Sequence, residues 1–397
     1  MHGTPNPEIT YFAKTNFRNQ RKLFGIKQED RAYHTYVLGK TGTGKTNLLL
    51  TQILQDIQSN RGVCVFDVHG DLINTVTKHL PQHRLKDVVY LDIPNPNLSF
   101  GYNPLKRVSY EKRSLVASGI LETFQKLWSG AWGVRLEHIL RYILLTLLDQ
   151  PKANFSDIPR IIHDASYRNK CVKNIVNNDV KQFWEKEFVK YSKADIVPLL
   201  NKIGAFLVHP AIKRILVENR DNVSLRRIMD ERKILLVNLS KGIIGSDVAH
   251  ILGSLLLTSM TSASFSRIDT PEEKRVPFHI FLDEFQNYTT PTLVNLLSEI
   301  RKMKVILTMG HQYFHQLEID IRNAVIGNVG TIICFRLGAI DGAYMQKELY
   351  KDRHPIIEVG DYVNLENYHI YLRLMINGKP NKPFSAVTIP YTDILGN

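Results

Sequence analysis

Apolar positions along this chain fall into two rhythms. HTYVL at 34–38, GVCVFD at 62–67, DVVYLD at 87–92, KILLVNL at 233–239, PFHIFLDE at 277–284, KVILTMG at 304–310 and TIICFRL at 331–337 are short, nearly continuous apolar runs. Several close on turn formers such as VHGD and IPNPN. Runs of that kind predict strands covered on both faces, as in a parallel sheet. Between them the period becomes helical, in NLLLTQILQDI after the first run, in HILGSLLLTSMTSASF, and from about 291 to 302. Strands alternating with helices predict an α/β fold with a mostly parallel central sheet. The tail HIYLRLMING…PFSAVTIP reads as two edge strands.

From about Tyr110 to Arg227 the helical rhythm is unbroken, as in LEHILRYILLTLL at 136–148 and VKQFWEKEFVKY at 180–191. This predicts a mostly helical domain inserted at 108–228 between the strand-bearing segments 1–107 and 229–397. Within the helical stretch, Trp132 and Trp184 read as packing residues. Lys181, Lys186, Lys190 and Lys193 read equally as DNA contacts or as a solvated helix face.

Composition narrows the class. Of 397 residues, 44% are hydrophobic and 22% charged, as in a globular protein with a proper core. The formal charge is +13 and the pI near 9.4, which points to a polyanionic partner, nucleic acid or an acidic membrane surface. Between Val108 and Ile228 there are 20 Lys and Arg against 12 Asp and Glu, so the inserted stretch holds most of the excess. Cys64, Cys171 and Cys334 have no disulfide or zinc spacing, which fits a reducing compartment. The polar N-terminus has no signal-peptide core, and apolar stretches such as 143–148 are too short to span a bilayer.

The chemistry is carried by two motifs. Gly39-Lys40-Thr41-Gly42-Thr43-Gly44-Lys45-Thr46 fits G-x-x-x-x-G-K-[ST], with a strand before it and a helix after it. Its glycines let backbone N–H groups close on phosphates, and the helix start adds positive dipole. Lys45 would reach the β- and γ-phosphates of ATP, and Thr46 would ligate Mg2+. In FHIFLDE, an apolar strand delivers Asp283 to hold the metal and Glu284 to act as general base on the attacking water. His311-Gln312 ends the next strand, where a polar side chain could sense the γ-phosphate. Arg301, on the preceding helix, is a candidate arginine finger or a surface residue.

Six stretches in order, HTYVLGKTGTGKTNLL, CVFDVHGDL, WGVRLEHILRYILLTLLD, LLVNLSKGIIGSD, FLDEFQNY…LLSEIRKMKVILTMGHQY and NVGTIICFRLGAIDG, together resemble the HerA/FtsK superfamily of DNA motors. More closely the chain resembles the ATPase region of conjugative and type IV secretion coupling proteins of the TraD/TraG kind. The resemblance implies a RecA-like P-loop NTPase with an inserted all-α domain. It also implies a homo-hexameric ring with ATP at subunit interfaces and sequence-independent DNA, single- or double-stranded, in the channel. Arg301 falls where coupling proteins carry a trans-acting arginine and Gln312 on the family's glutamine, while Arg336 is a second interface candidate. Coupling proteins usually begin with transmembrane helices, and related motors with an N-terminal β-barrel. Neither is expected here, where about 33 residues precede the first expected strand. The expectation is therefore a cytoplasmic ATPase: a soluble coupling-protein form, a motor that a secretion-channel or nuclease partner docks, at the membrane's inner face or elsewhere, or a truncated form. The rivals are a HerA-like motor in repair or defence, an ATPase driving machine assembly or protein export, and a nucleotide-binding switch.

Overall fold

The structure is a computed structural model that describes residues 6–16, 20–98, 100–106, 108–218, 221–290, 297–350 and 357–395. It forms two compact units. One comprises Met1–Tyr90, Arg226–Leu239 and Ser264–Asn397, the other Leu91–Leu225 and Ser240–Ala263.

Eleven strands among the described residues make one sheet. In chain order they are β1 (Ile9–Thr15), β2 (Leu23–Lys27), β3 (Thr35–Leu38), β4 (Gly62–Asp67), β5 (Val88–Asp92), β6 (Ile234–Asn238), β7 (Phe278–Leu282), β8 (Val305–His311), β9 (Thr331–Cys334), β10 (His369–Arg373) and β11 (Phe384–Thr388). Their order across the sheet is β2-β1-β11-β10-β9-β3-β8-β7-β4-β6-β5. The run β9-β3-β8-β7-β4-β6 is parallel throughout, and all the residues of these six strands are buried. That is why their sequences read as continuous apolar runs rather than alternating ones. β10, β11, β1 and β2 then extend the sheet antiparallel.

Helix α1 (Lys45–Gln58) returns the chain from β3 to β4, and α2 (Asp71–Lys78) follows β4. Leu49, Leu50, Ile53, Leu54 and Ile57 of α1 pack with Leu72, Ile73 and Val76 of α2 against Val63, Val65, Ile234, Leu236 and Phe281 of the sheet. A second core joins Leu48 of α1 to Phe12, Ala13, Val37, Ile333, Ile370, Leu372 and Ala386. The phosphate loop is thus rooted between two packed clusters.

Two expectations are corrected. The tail strands β10 and β11 are interior, because β1 and β2 pair outside them. The first strand begins at Ile9, not near residue 34. ITYFAKT looks polar, yet Thr10, Phe12 and Ala13 are completely buried. Part of what makes this strand tolerable inside is polar: the Thr10 hydroxyl accepts from Arg31 and Gln28 at 2.9 and 2.8 Å.

In the other unit α3 (Tyr110–Leu127), α4 (Val134–Leu148), α5 (Lys193–Val208) and α6 (Ser246–Phe265, whose last two residues fall in the sheet unit) are the longest helices among the described residues. VKQFWEKEFVKY is not one regular helix. Phe183–Glu187 forms a π-type turn in which the Phe188 N–H donates to the Phe183 carbonyl. The wider turn lets Phe183, Trp184 and Phe188 all be buried. Ser246–Asp269 is long and apolar enough to cross a membrane by composition, but 67% of its apolar window is buried, as in a core helix. The expected helix to Lys302 is seen over its described part, α7 (Leu297–Lys302), and residues 291–296 of it lie outside the described residues.

Candidate active site

Strand register gathers the motifs. Leu38 pairs with His311, Met309 with Leu282, and Leu282 with Phe66. The residues that follow these strands therefore emerge together at the carboxyl ends of β3, β8, β7 and β4, where parallel sheets place their ligand crevices.

The loop after β3 is held from within. The Thr43 hydroxyl donates to the Lys40 carbonyl at 2.7 Å, and the Lys45 ammonium donates to the Gly39 and Lys40 carbonyls at 2.6 and 3.1 Å. Gly44 has φ of 120°, and a Cβ there would lie 2.9 Å from a Tyr368 ring carbon and 3.0 Å from one of Phe335. Gly42 has φ of 75° with open space around it. Thr46 is exposed on the first turn of α1, beside the loop. Lys45 is buried, and burial lowers its pKa while Glu284 and Asp283 oppose that fall.

Asp283 and Glu284 follow β7 and are 5% exposed each. Burial, then Glu284 and Asp67, push Asp283 up to about 7, against the pull of Lys45. Asp283 and Glu284 thus act on the buried Lys45, and Asp67 adds its charge beside Asp283. Such a donor set, with the Thr46 hydroxyl nearby, fits a hard divalent cation such as Mg2+, whose charge would relieve the repulsion.

Glu284 adopts a left-handed backbone with φ of 55°. Its carboxylate accepts from the Gln286 side-chain amide at 2.7 Å and from that of Gln312. The Thr41 hydroxyl donates to the Gln312 side-chain oxygen Oε1 at 3.0 Å. Gln312 therefore links the phosphate loop to Glu284 in one chain of hydrogen bonds. Neighbouring His311 is completely buried and points elsewhere, its Nδ1 2.8 Å from the Tyr36 hydroxyl.

Arg301 is not brought to this cluster. Its guanidinium lies 3.4 Å from the centre of the Tyr33 ring, just before β3, at the opposite end of that strand from the loop. Four strand residues separate the two ends, roughly 13 Å. Arg336 lies at the loop's flank: its carbonyl accepts from the Lys40 N–H at 3.0 Å and its guanidinium donates to Asn367 Oδ1 at 2.9 Å.

Four residues of the site went unnoticed in the sequence. Asp67, at the tip of β4, accepts from the N–H groups of His69 and Ile73 at 2.8 and 3.1 Å, and adds negative charge beside Asp283. Its signal was the apolar run GVCVF ending in a carboxylate level with Asp283. Gln286 could have been suspected two residues past Glu284. Phe335 and Tyr368 wall the glycine loop, and the Tyr368 N–H donates to the Thr43 carbonyl at 2.8 Å. Nothing in their local sequence announces that role.

Comparison with known proteins follows the same lines. The family model for the central domain of helicase HerA matches residues 28–242, and that for the TraM recognition site of TraD and TraG matches residues 277–344. No curated protein sequence matches the chain. Among solved structures, the unbound bacterial conjugative coupling protein TrwBΔN70 superposes with a TM-score of 0.68 at 14% identity, covering 98% of this chain and 89% of that one. TrwB in complex with ADP and Mg2+ gives 0.67 at 14%, covering 98% and 96%. VirB4 of Thermoanaerobacter pseudethanolicus gives 0.65 at 12%, covering 98% and 97%. These likenesses establish a shared RecA-like fold. Because the HerA model spans more than half of its residues, the chain belongs to the HerA central-domain family, as a P-loop ATPase of coupling-protein-like fold.

Proposed function

We propose that this chain is an ATP- and Mg2+-dependent motor that moves DNA in conjugative or type IV secretion transfer. The observation that carries the ATPase part is the hydrogen-bonded chain Thr41–Gln312–Glu284 beside Lys45 and Asp283, which joins the phosphate loop to a buried carboxylate. In this reading the loop from Gly39 to Thr46 cradles the phosphates, with Lys45 on the β- and γ-oxygens. Thr46 and Asp283 would hold the metal, whose charge would offset that of the phosphates. Glu284 takes a proton from the attacking water, and Gln312 positions it. The DNA and secretion parts are supported by net charge, by the match to the TraD and TraG model, and by the fold shared with TrwB and VirB4.

The division of labour belongs to the same proposal: residues 1–107 and 229–397 bind nucleotide, and 108–228 form the inserted helical domain. α6, outside that insert, groups mostly with the helical unit. A homo-hexamer is proposed on the position of Arg301, exposed and far from its own loop, where a neighbouring subunit's nucleotide would need it. A cytoplasmic setting, with docking by a channel or nuclease partner, completes the reading.

The test is ATP turnover with and without single- and double-stranded DNA at two salt concentrations, beside Lys45→Ala. DNA stimulation that weakens with salt and vanishes in the variant supports the motor, since phosphate contacts release counterions. Turnover indifferent to DNA overturns it and leaves an ATPase of assembly or protein export.

A further inference from the structure

The helical unit contains a row of aromatic rings that runs from its core to its surface. Phe124 and Trp128 stack at 4.8 Å with planes 1° apart, and Trp132 continues the row at 6.2 Å and 22°. Phe124 is completely buried, whereas Trp128 and Trp132 are half-buried. The row ends in a surface turn: residues 129–131 and 133–135 are exposed, with open space at Gly130 and Gly133.

Packing accounts for Trp128, which has Phe124 on one side and Trp132 on the other. Stacking on Trp128 and a hydrogen bond to Glu137 hold Trp132 in place, but they leave part of it open beside a glycine-flanked turn. The third tryptophan differs in burial: Trp184 is 4% exposed, although its indole N–H, like that of Trp132, has a partner, the Thr146 hydroxyl at 2.7 Å.

The charges around the row suit an anion. The Lys202 ammonium lies 5.4 Å from the Trp128 ring centre. Glu137, which accepts from the Trp132 indole at 2.9 Å, is paired with Arg141 at 2.9 Å, and Asp195 is paired with Arg135. Both of these carboxylates are therefore matched by an arginine. Over the segments of this unit, 21 Lys and Arg stand against 14 Asp and Glu.

We propose that Trp132 is the outer end of a base-stacking site for single-stranded nucleic acid, with Lys202 and the unit's excess positive charge holding the backbone. This rests on the DNA reading above and refines it. Unpaired bases offer a π-face to the indole, whereas a closed duplex hides all but its ends. The site is therefore sequence-tolerant and favours single strands.

The test uses intrinsic tryptophan fluorescence of the full chain, titrated at low salt with an oligo(dT) of roughly 12 nucleotides and with an abasic oligonucleotide of the same length. The two probes share their charge and differ in their bases. We expect oligo(dT) to quench emission and the abasic strand to bind without quenching. Trp132→Ala should weaken oligo(dT) binding, read by anisotropy of a labelled strand, roughly 5- to 150-fold, towards the abasic level. Trp132→Phe, which keeps an aromatic face, should retain most of the affinity. Equal affinity of Trp132→Ala and the unaltered chain for oligo(dT), or equal quenching by both probes, overturns the stacking site while the DNA reading stands. Binding of neither probe overturns both.

Discussion

At the scale of single residues, the glycines of the phosphate loop are bound by different constraints. Gly44 needs a positive φ and has no room for a Cβ, because Tyr368 and Phe335 lie against it. Gly42 needs the positive φ alone. We predict that Gly44→Ala lowers ATP affinity by more than tenfold and Gly42→Ala by less, as equilibrium titration with a nucleotide analogue would show. Backbone strain alone is worth about 1–3 kcal/mol, and Gly44→Ala adds a clash with two rings. Equal losses in the two variants would show that the walls of the loop do not matter. Asp283 and Glu284 were legible, since DE after an apolar strand is a readable motif. Their company was not: Asp67 lies more than two hundred positions from Asp283 in sequence, and only the adjacency of β4 and β7 brings them together.

At the scale of elements, the parallel core could be read because burial on both faces leaves no polar positions to interrupt the pattern. The β2-β1 end of the sheet could not. β1 carries Thr10 and Lys14 in a seven-residue strand, and the partners that satisfy Thr10 come from Gln28 and Arg31, beyond any local window. Connections between elements also set a pH dependence. Completely buried His34 lies 2.8 Å from the Leu297 carbonyl through Nε2 and accepts from the Leu307 N–H through Nδ1 at 3.1 Å, tying β3 to α7 and β8. Burial is the main cause that depresses its pKa to about 4, with Arg301 adding to the fall and the Leu297 hydrogen bond opposing it. A depressed folded pKa means the contribution to stability is whole above the unfolded value of 6.5 and is lost as pH falls towards 4. Buried His279 and His311, depressed to about 3, act in the same direction. Melting temperature should therefore drop between pH 6.5 and 4, and less steeply in His34→Gln. An unchanged slope in that variant would remove His34 from the effect.

At the scale of the whole molecule, the nucleotide site lies within one unit of one chain, but the proposed arginine does not reach it there. Arg301→Ala should keep ATP binding and reduce turnover by roughly 10³–10⁵, the range known for arginine fingers. In mixtures with Glu284→Gln subunits, which retain Arg301, turnover should recover in part, because each variant then supplies what the other lacks. No recovery in mixed assemblies would argue against sharing between subunits. Sequence alone could suggest this through the resemblance to coupling proteins, whereas the distance from Arg301 to its own loop required the fold.

The central claim is that Glu284, aligned through Gln312 with the phosphate loop, makes ATP hydrolysis possible. The most direct measurement compares ATP binding and single-turnover hydrolysis in the unaltered chain and in Glu284→Gln. Binding should be nearly unchanged and hydrolysis slowed by about 10²–10⁴, the usual worth of a general base. Hydrolysis at the unaltered rate in Glu284→Gln would contradict it.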